Sequence, residues 1–216
     1  MAKSGKAGGT RAADGAESGT QPAELQLKSA SSVLRARSIA LVGASERGAW
    51  PALIIKNLRD QRYPGRLLLV NPRQKEVFGE RCYPSLRDLP EAPEHAAIIV
   101  PADAVADILE DAHAAGVKSA TIYAAGIGDG NEPKSKARGA WLAGFIARSG
   151  MRIAGPNCMG SFSYRERLFA YPNAALCMLQ PGPVGIVFQS GGTLQFFMQS
   201  GGDRGLRYSY AISSGN

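Results

Sequence analysis

From Ser38 onward the chain alternates short apolar runs with helical patterns, and this alternation restricts the fold more than any other feature. SIALVG (38–43) reads as a buried strand. Residues 51–62 read as a helix with Pro51 in its first turn, where a missing N–H leaves no hydrogen bond unmade. RLLLVN (66–71) is a second strand stopped by Pro72, and after a looser stretch with turn signals at Pro84 and Pro90, AAIIV (96–100) is a third. In the next helix Val105, Ile108, Leu109 and Ala112 fall at i, i+3, i+4 and i+7, with Asp103 as the expected N-cap and Gly116 as the stop. Residues 118–124 form a fourth strand, a helix carrying Trp141, Leu142, Phe145 and Ile146 ends near Gly150, and 151–154 is a fifth strand. Strands and helices in this order predict an α/β fold with a Rossmann-like, doubly wound parallel sheet whose ligands sit at the strands' carboxyl ends.

Past Phe162 the pattern lapses into a connecting stretch with Pro172, Pro181 and Pro183. A second strand–helix–strand unit then follows, over 184–188, the segment after QSGG, and 208–212. The expected division is a disordered tail over 1–30, a Rossmann-like domain over 31–162, a linker over 163–182 and the incomplete start of a second α/β domain over 183–216. The tail carries Gly, Ala, Ser and Thr without the apolar run of a signal peptide. Asp14, Glu17 and Glu24 speak against an organellar transit peptide.

Charge and cysteine usage narrow the function classes. The net charge of +7 comes without a dense basic run or interleaved aromatics, which argues against a nucleic-acid partner but suits a polyanionic small ligand. No stretch approaches the roughly 20 apolar residues that span a bilayer, so no membrane role is expected and the reading is a cytoplasmic protein. Cys82, Cys158 and Cys177 are far apart and form no CxxC pair, which fits a reducing compartment and no zinc site. The two histidines, His95 and His113, are too distant for a metal cluster and read as ordinary strand-edge and helix residues.

Chemistry concentrates in four loops. After the first strand, Gly43, Ala44, Ser45 and Gly48 leave the backbone bare at a helix start, either as a tight turn or as a cradle for a diphosphate. After the second strand stands VNPRQK, with Arg73 and Lys75 where an NAD site places a carboxylate. That end suits a ribose phosphate, as in NADP or coenzyme A, or is simply a solvated basic turn. GPNCMG (155–160) puts Asn157 and Cys158 at the sheet's ligand edge. With nothing nearby to depress its pKa, Cys158 reads as a site-lining residue and not as a nucleophile. QSGG (189–192) repeats the first loop's logic through Ser190, Gly191 and Gly192, and the absence of a Walker lysine excludes a P-loop.

SIALVGAS, VNP, IIVPA, AAG, GPNCMG and GPVGIVFQSGG follow one another in an order that resembles the NDP-forming acyl-CoA synthetases, relatives of the succinyl-CoA synthetase alpha subunit and of ATP citrate lyase. The resemblance covers about 33–216, and the GPNC and QSGG pair is its most specific part. It implies a CoA-binding domain followed by the start of a flavodoxin-like ligase domain. Ser45, Glu46, Arg47 and Gly48 would lie along the CoA phosphates and Arg73 at the ribose phosphate, with Gly43, Asn71, Lys75 and Pro101 in the same set. Tyr123, Ala124 and Ala125 would line the pantetheine path, and Asn157 and Cys158 would sit near the thiol. Ser190, Gly191 and Gly192 would dock a phosphorylated histidine. The implied reaction joins a small carboxylic acid, ATP and CoA into acyl-CoA, ADP and phosphate. The phosphohistidine lies outside this chain, so no catalytic residue is expected within it and the chain alone is expected to be inactive. ATP and Mg would enter through an ATP-grasp domain or a beta-type subunit. Pro51 departs from the family pattern, standing where a third glycine is usual. A non-catalytic CoA-binding module, the sensor part of a fused acyltransferase, and an NADP-dependent oxidoreductase are the alternatives.

Overall fold

A computed structural model describes residues 32–216; the tail expected over 1–30 lies outside the described residues. Its first sheet is built from β1 (Ser38–Val42), β2 (Arg66–Val70), β3 (Glu76–Val77), β4 (Glu80–Tyr83), β5 (His95–Ile98), β6 (Ser119–Ile122) and β7 (Arg152–Ala154). The spatial order is β3-β4-β2-β1-β5-β6-β7, parallel throughout except for the β3–β4 pair. The helices are α1 (Ala49–Asp60), α2 (Val105–Ala114) and α3 (Pro133–Ser149). The looser stretch after Pro72 thus holds a short hairpin, whose strands of two and four residues are too brief to show a period.

Both faces of this sheet are covered, which explains why its central strands are buried at every position, with Ser38, His95, Ser119 and Thr121 the polar residues among them. Ile39, Leu41 and Ala97 face α1 and pack with Ile54, Ile55 and Leu58. Ala40, Val42, Ala96 and Ile98 face the other way, against Leu109, Leu142 and Phe145. Val42 pairs with both Val70 and Ile98, and Ile98 with Ile122, so the carboxyl ends of the four central strands finish level. The chain leaves β1 toward β2 on one side and returns to β5 on the other. The reversal between β1 and β5 opens a crevice at that edge.

The second sheet comprises β8 (Gly160–Ser163), β9 (Leu168–Ala170), β10 (Pro181–Phe188) and β11 (Tyr208–Ser213), in the order β10-β11-β8-β9, with α4 (Gly191–Gly202) against it. The stretch over 163–182, expected as a connection, therefore carries β9 and a 3-10 turn over Ala175–Met178. Leu168 and Ala170 join the core beneath α1, and the Asn57 Nδ2 donates to the Tyr171 carbonyl at 2.7 Å. These three residues are a strand through their pairing with β8 and are buried in part by the neighbouring helix. The expected cap of α2 is also different. A 3-10 turn over Ala102–Ala104 leads into the helix, whose first turn has no side-chain cap, and Asp103 instead pairs with Arg138.

Candidate functional site

The crevice between β1 and β5 is a cleft of about 360 Å³ lined by Gly43, Ser45, Gly48, Trp50, Pro51, Ile99, Val100, Pro101, Tyr123 and Ala124. Three strand ends and one helix start build it. Gly43 is required on two counts: its φ is +88°, and a Cβ there would stand 2.1 Å from the Ile99 carbonyl oxygen. The Gly43 and Ala44 N–H groups both donate to the Val70 carbonyl, at 2.9 and 3.2 Å, which folds the loop back over β2. Beyond it, the N–H groups of Arg47 and Gly48 converge on the Ser45 Oγ at 3.2 and 3.3 Å. These donors lie just ahead of α1, whose N-cap Gly48 has no side-chain partner and whose first turn has no acidic residue. Backbone donors and the positive helix end thus meet at one point, the electrostatics an anion needs. Pro51 does not hinder this: it is buried in the first turn of α1, and its ring packs beside Gly48.

On the far wall Tyr123 is buried, and its hydroxyl donates to the Ala170 carbonyl at 2.6 Å. Burial raises its pKa well above the ordinary phenol value, so it is a neutral wall of the cleft. Trp50, 38 % exposed, sets the edge of its ring against Tyr123 with centroids 6.2 Å apart. Trp50, Ile99 and Val100 escaped the sequence reading. The one available signal was an aromatic residue two positions after a glycine loop.

The other expected residues distribute around this cleft. The Asn71 Nδ2 donates to the Ala44 carbonyl at 2.8 Å and its Oδ1 accepts from the Arg73 N–H at 2.9 Å, so the end of β2 is tied to the glycine loop. Arg73 and Lys75 are exposed beyond it. Glu46 turns away: its Oε1 accepts from the Phe78 N–H at 2.5 Å and latches the β3–β4 hairpin to the loop. Ala125 is exposed next to Ala124. Asn157 is exposed with φ +55°, and its N–H donates to the Ala124 carbonyl at 2.9 Å. Cys158 is another matter. It is buried, its Sγ donates to the Ile122 carbonyl at 3.4 Å, and it does not line the cleft. Burial pushes its thiol up to about 11, so the group is a neutral core thiol.

The second glycine loop stands apart, at the start of α4. Ser190 caps that helix, its Oγ accepting from the Thr193 N–H at 3.2 Å. Gly191 faces Met159, where a Cβ would come within 2.4 Å of the Cγ, and Gly192 is exposed. Neither histidine approaches either loop. His95 is buried between the Ser119 and Thr121 hydroxyls, 2.9 Å from each, and His113 packs edge-on against Phe145. Among the described residues no group of three His, Cys, Asp or Glu side chains is placed to hold a metal, and no helix is long and apolar enough to cross a membrane.

Residues 37–163 match the family described as CoA binding domain. A trans-feruloyl-CoA synthase from an unknown prokaryotic organism is 34 % identical over 188 residues, which are 85 % of this chain and 26 % of that protein. An ADP-forming acetate–CoA ligase of Methanocaldococcus jannaschii is 34 % identical over 185 residues, 83 % of this chain and 25 % of that one. The chain thus spans about a quarter of the length of these curated relatives. Among solved structures, a protein of Pyrococcus horikoshii OT3 superposes with a TM-score of 0.78 at 29 % identity, over 87 % of this chain and 42 % of that one. The dinucleotide-forming acetyl-coenzyme A synthetase 1 of Ca. Korarchaeum cryptofilum, in complex with phosphate and ADP, gives 0.76 at 27 %, over 86 % and 39 %. The matched residues 37–163 contain the whole cleft, and the chain belongs to the CoA binding domain family and is homologous to the ADP-forming acyl-CoA synthetases.

Proposed function

We propose that the cleft at Gly43 holds coenzyme A and that the chain is the CoA-binding portion of an ADP-forming acid–CoA ligase. The observation that carries this is the convergence, at the β1–β5 reversal, of a glycine loop, a helix start whose Arg47 and Gly48 N–H groups are held only by the Ser45 hydroxyl, and an exposed arginine one strand away. The lining fits the group, since no carboxylate lines the cleft and the Arg47 and Gly48 N–H groups stand at the helix start beside it. Arg47 and Gly48 N–H groups receive the diphosphate in place of the Ser45 hydroxyl, and Arg73, with Lys75 near it, meets the ribose phosphate. Tyr123, Ala124 and Ala125 guide the pantetheine arm toward Asn157.

When bound, the coenzyme supplies the thiol that accepts the acyl group. The chain's residues orient it and exclude water along the apolar wall of Val100, Pro101 and Tyr123. In the complete ligase a carboxylic acid, ATP and CoA give acyl-CoA, ADP and phosphate by way of a phosphohistidine carried on other residues. The start of α4 at Ser190, Gly191 and Gly192 would receive that phosphorylated histidine, whose phosphoryl group would come, with release of ADP, from ATP and Mg held by an ATP-grasp domain or beta-type subunit. Titration calorimetry with CoA, dephospho-CoA, NAD and NADP tests the reading. CoA is expected to bind most tightly; tighter NADP binding would transfer the chain to the oxidoreductases.

A further inference from the structure

The turn after β11 touches both chemical loops at once. The Gly155 N–H donates to the Ser214 carbonyl at 3.0 Å and the Asn216 N–H to the Pro156 carbonyl at 2.9 Å. From the same turn, the Ser214 N–H donates to the Phe188 carbonyl at 2.8 Å and the Gly215 N–H to the Gln189 carbonyl at 3.2 Å. Asn157 in turn donates to the Ala124 carbonyl in the cleft wall. A continuous run of main-chain hydrogen bonds therefore leads from Ala124 through the 155–157 loop and the 214–216 turn to Gln189, next to the cap of α4. Gly215 makes this possible. Its φ is +71°, and a Cβ would stand 2.1 Å from the Pro156 oxygen, 3.0 Å from the Cys158 Cβ and 3.1 Å from the Gly155 Cα. Backbone lies against backbone there, with no flexible side chain to give way.

We propose that the 214–216 turn is a positioning clamp that holds the 155–158 loop and the 189–192 loop in one register, so that the cleft wall and the start of α4 move as one body. The proposal rests on the coenzyme A reading of the cleft for its purpose, because the clamp then fixes where the thiol end stands relative to the docking loop. Sites that must meet within a fraction of an ångström need such a supporting layer. A coupling of this kind has a physical carrier in the hydrogen-bonded run itself, not in mere proximity.

Amide hydrogen exchange on the whole chain decides it. Gly215→Ala is expected to speed exchange by about tenfold or more at Gly155, Asn157 and Gly215, and at Thr193 beyond the cap, while Ile98 and Ile122 in the first sheet keep their protection. Asn216→Pro removes the N–H given to Pro156 and the side-chain oxygen that accepts from Gln189, and it restricts the backbone of Gly215 before it; it should reproduce the same pattern in a folded chain. Gly215→Asn separates the two demands on the glycine. Asparagine tolerates positive φ, so this variant should behave like Gly215→Ala if close approach is what matters. Equal acceleration at Ile98 and Ile122, or unchanged exchange at the two loops, in Gly215→Ala would overturn the clamp, and wild-type behaviour of Gly215→Asn would overturn the close approach of Gly215 as its cause. Addition of CoA to the wild type should slow Thr193 and Leu194, and should not do so in Gly215→Ala. A wild type that ignores CoA altogether would overturn the cleft reading, while the ligand-free comparison still decides the clamp.

Discussion

Arg73 and His95 show how differently two basic side chains serve one sheet. Arg73 stands exposed past the end of β2, with its backbone anchored by Asn71, and on the proposed reading its guanidinium meets the ribose phosphate. A hydrogen bond to a charged group is worth about 1.5–3 kcal/mol, so Arg73→Ala should weaken CoA by about 10- to 100-fold and leave dephospho-CoA nearly unchanged. Calorimetry on both proteins with both ligands reads this directly; equal CoA affinity would place the ribose phosphate elsewhere. His95, in contrast, is sealed in the core. The Ser119 hydroxyl donates to the Glu94 carbonyl, so it accepts from the His95 Nδ1–H, and the Nε2 accepts from Thr121. Burial lowers its pKa to about 4 from an ordinary value of 6.5. The folded state thus holds a neutral ring that the unfolded chain protonates first. Its contribution is complete above about pH 6.5 and is lost as the pH falls through about 4. Thermal melts of wild type and His95→Gln should converge in pH slope above that window and separate within it; parallel curves throughout would contradict the assignment.

At the level of elements, the strand legible from sequence is the one whose apolar run is long or whose neighbours are patterned. β1, β2, β5 and β6 announced themselves by buried runs, and α2 and α3 by apolar spacing. The β3–β4 hairpin and β9 did not, because the hairpin strands carry no apolar run and β9 is buried by partners distant in the chain. β9 gives the sharpest case: it is keyed to α1 by a buried asparagine that reads, in sequence, as a polar interruption. Asn57→Ala removes one of the two hydrogen bonds to the Tyr171 carbonyl, which keeps the Asn173 N–H, so a loss of about 0.5–1.5 kcal/mol is expected, seen as a lower denaturant midpoint. The same variant should open 168–171 to protease, where the wild type resists cleavage. A variant as resistant as the wild type would show that β9 is held by its sheet alone.

For the molecule as a whole, neither histidine stands at a chemical loop, which sets an expectation for the isolated 216-residue chain. It should bind CoA yet release no ADP from ATP in the presence of acetate or ferulate and CoA; steady release dependent on acid and CoA together would refute the assignment of the phosphohistidine to other residues. The sequence by itself determined the α/β class, the central strand set, both glycine loops and the cationic end of β2, because each is written in neighbouring residues: an apolar run, a bare loop, a charge. Only the tertiary structure decided which strand lies beside which, and hence that the reversal falls between β1 and β5 and brings Trp50, Val100 and Tyr123 to the first loop. It also decided that the Cys158 thiol faces Ile122 and not the cleft, and that Gly215 presses on the Pro156 carbonyl. Those facts depend on packing between segments tens of residues apart, where the direction of a side chain is set by the neighbours it must fit and not by the residues beside it in the chain.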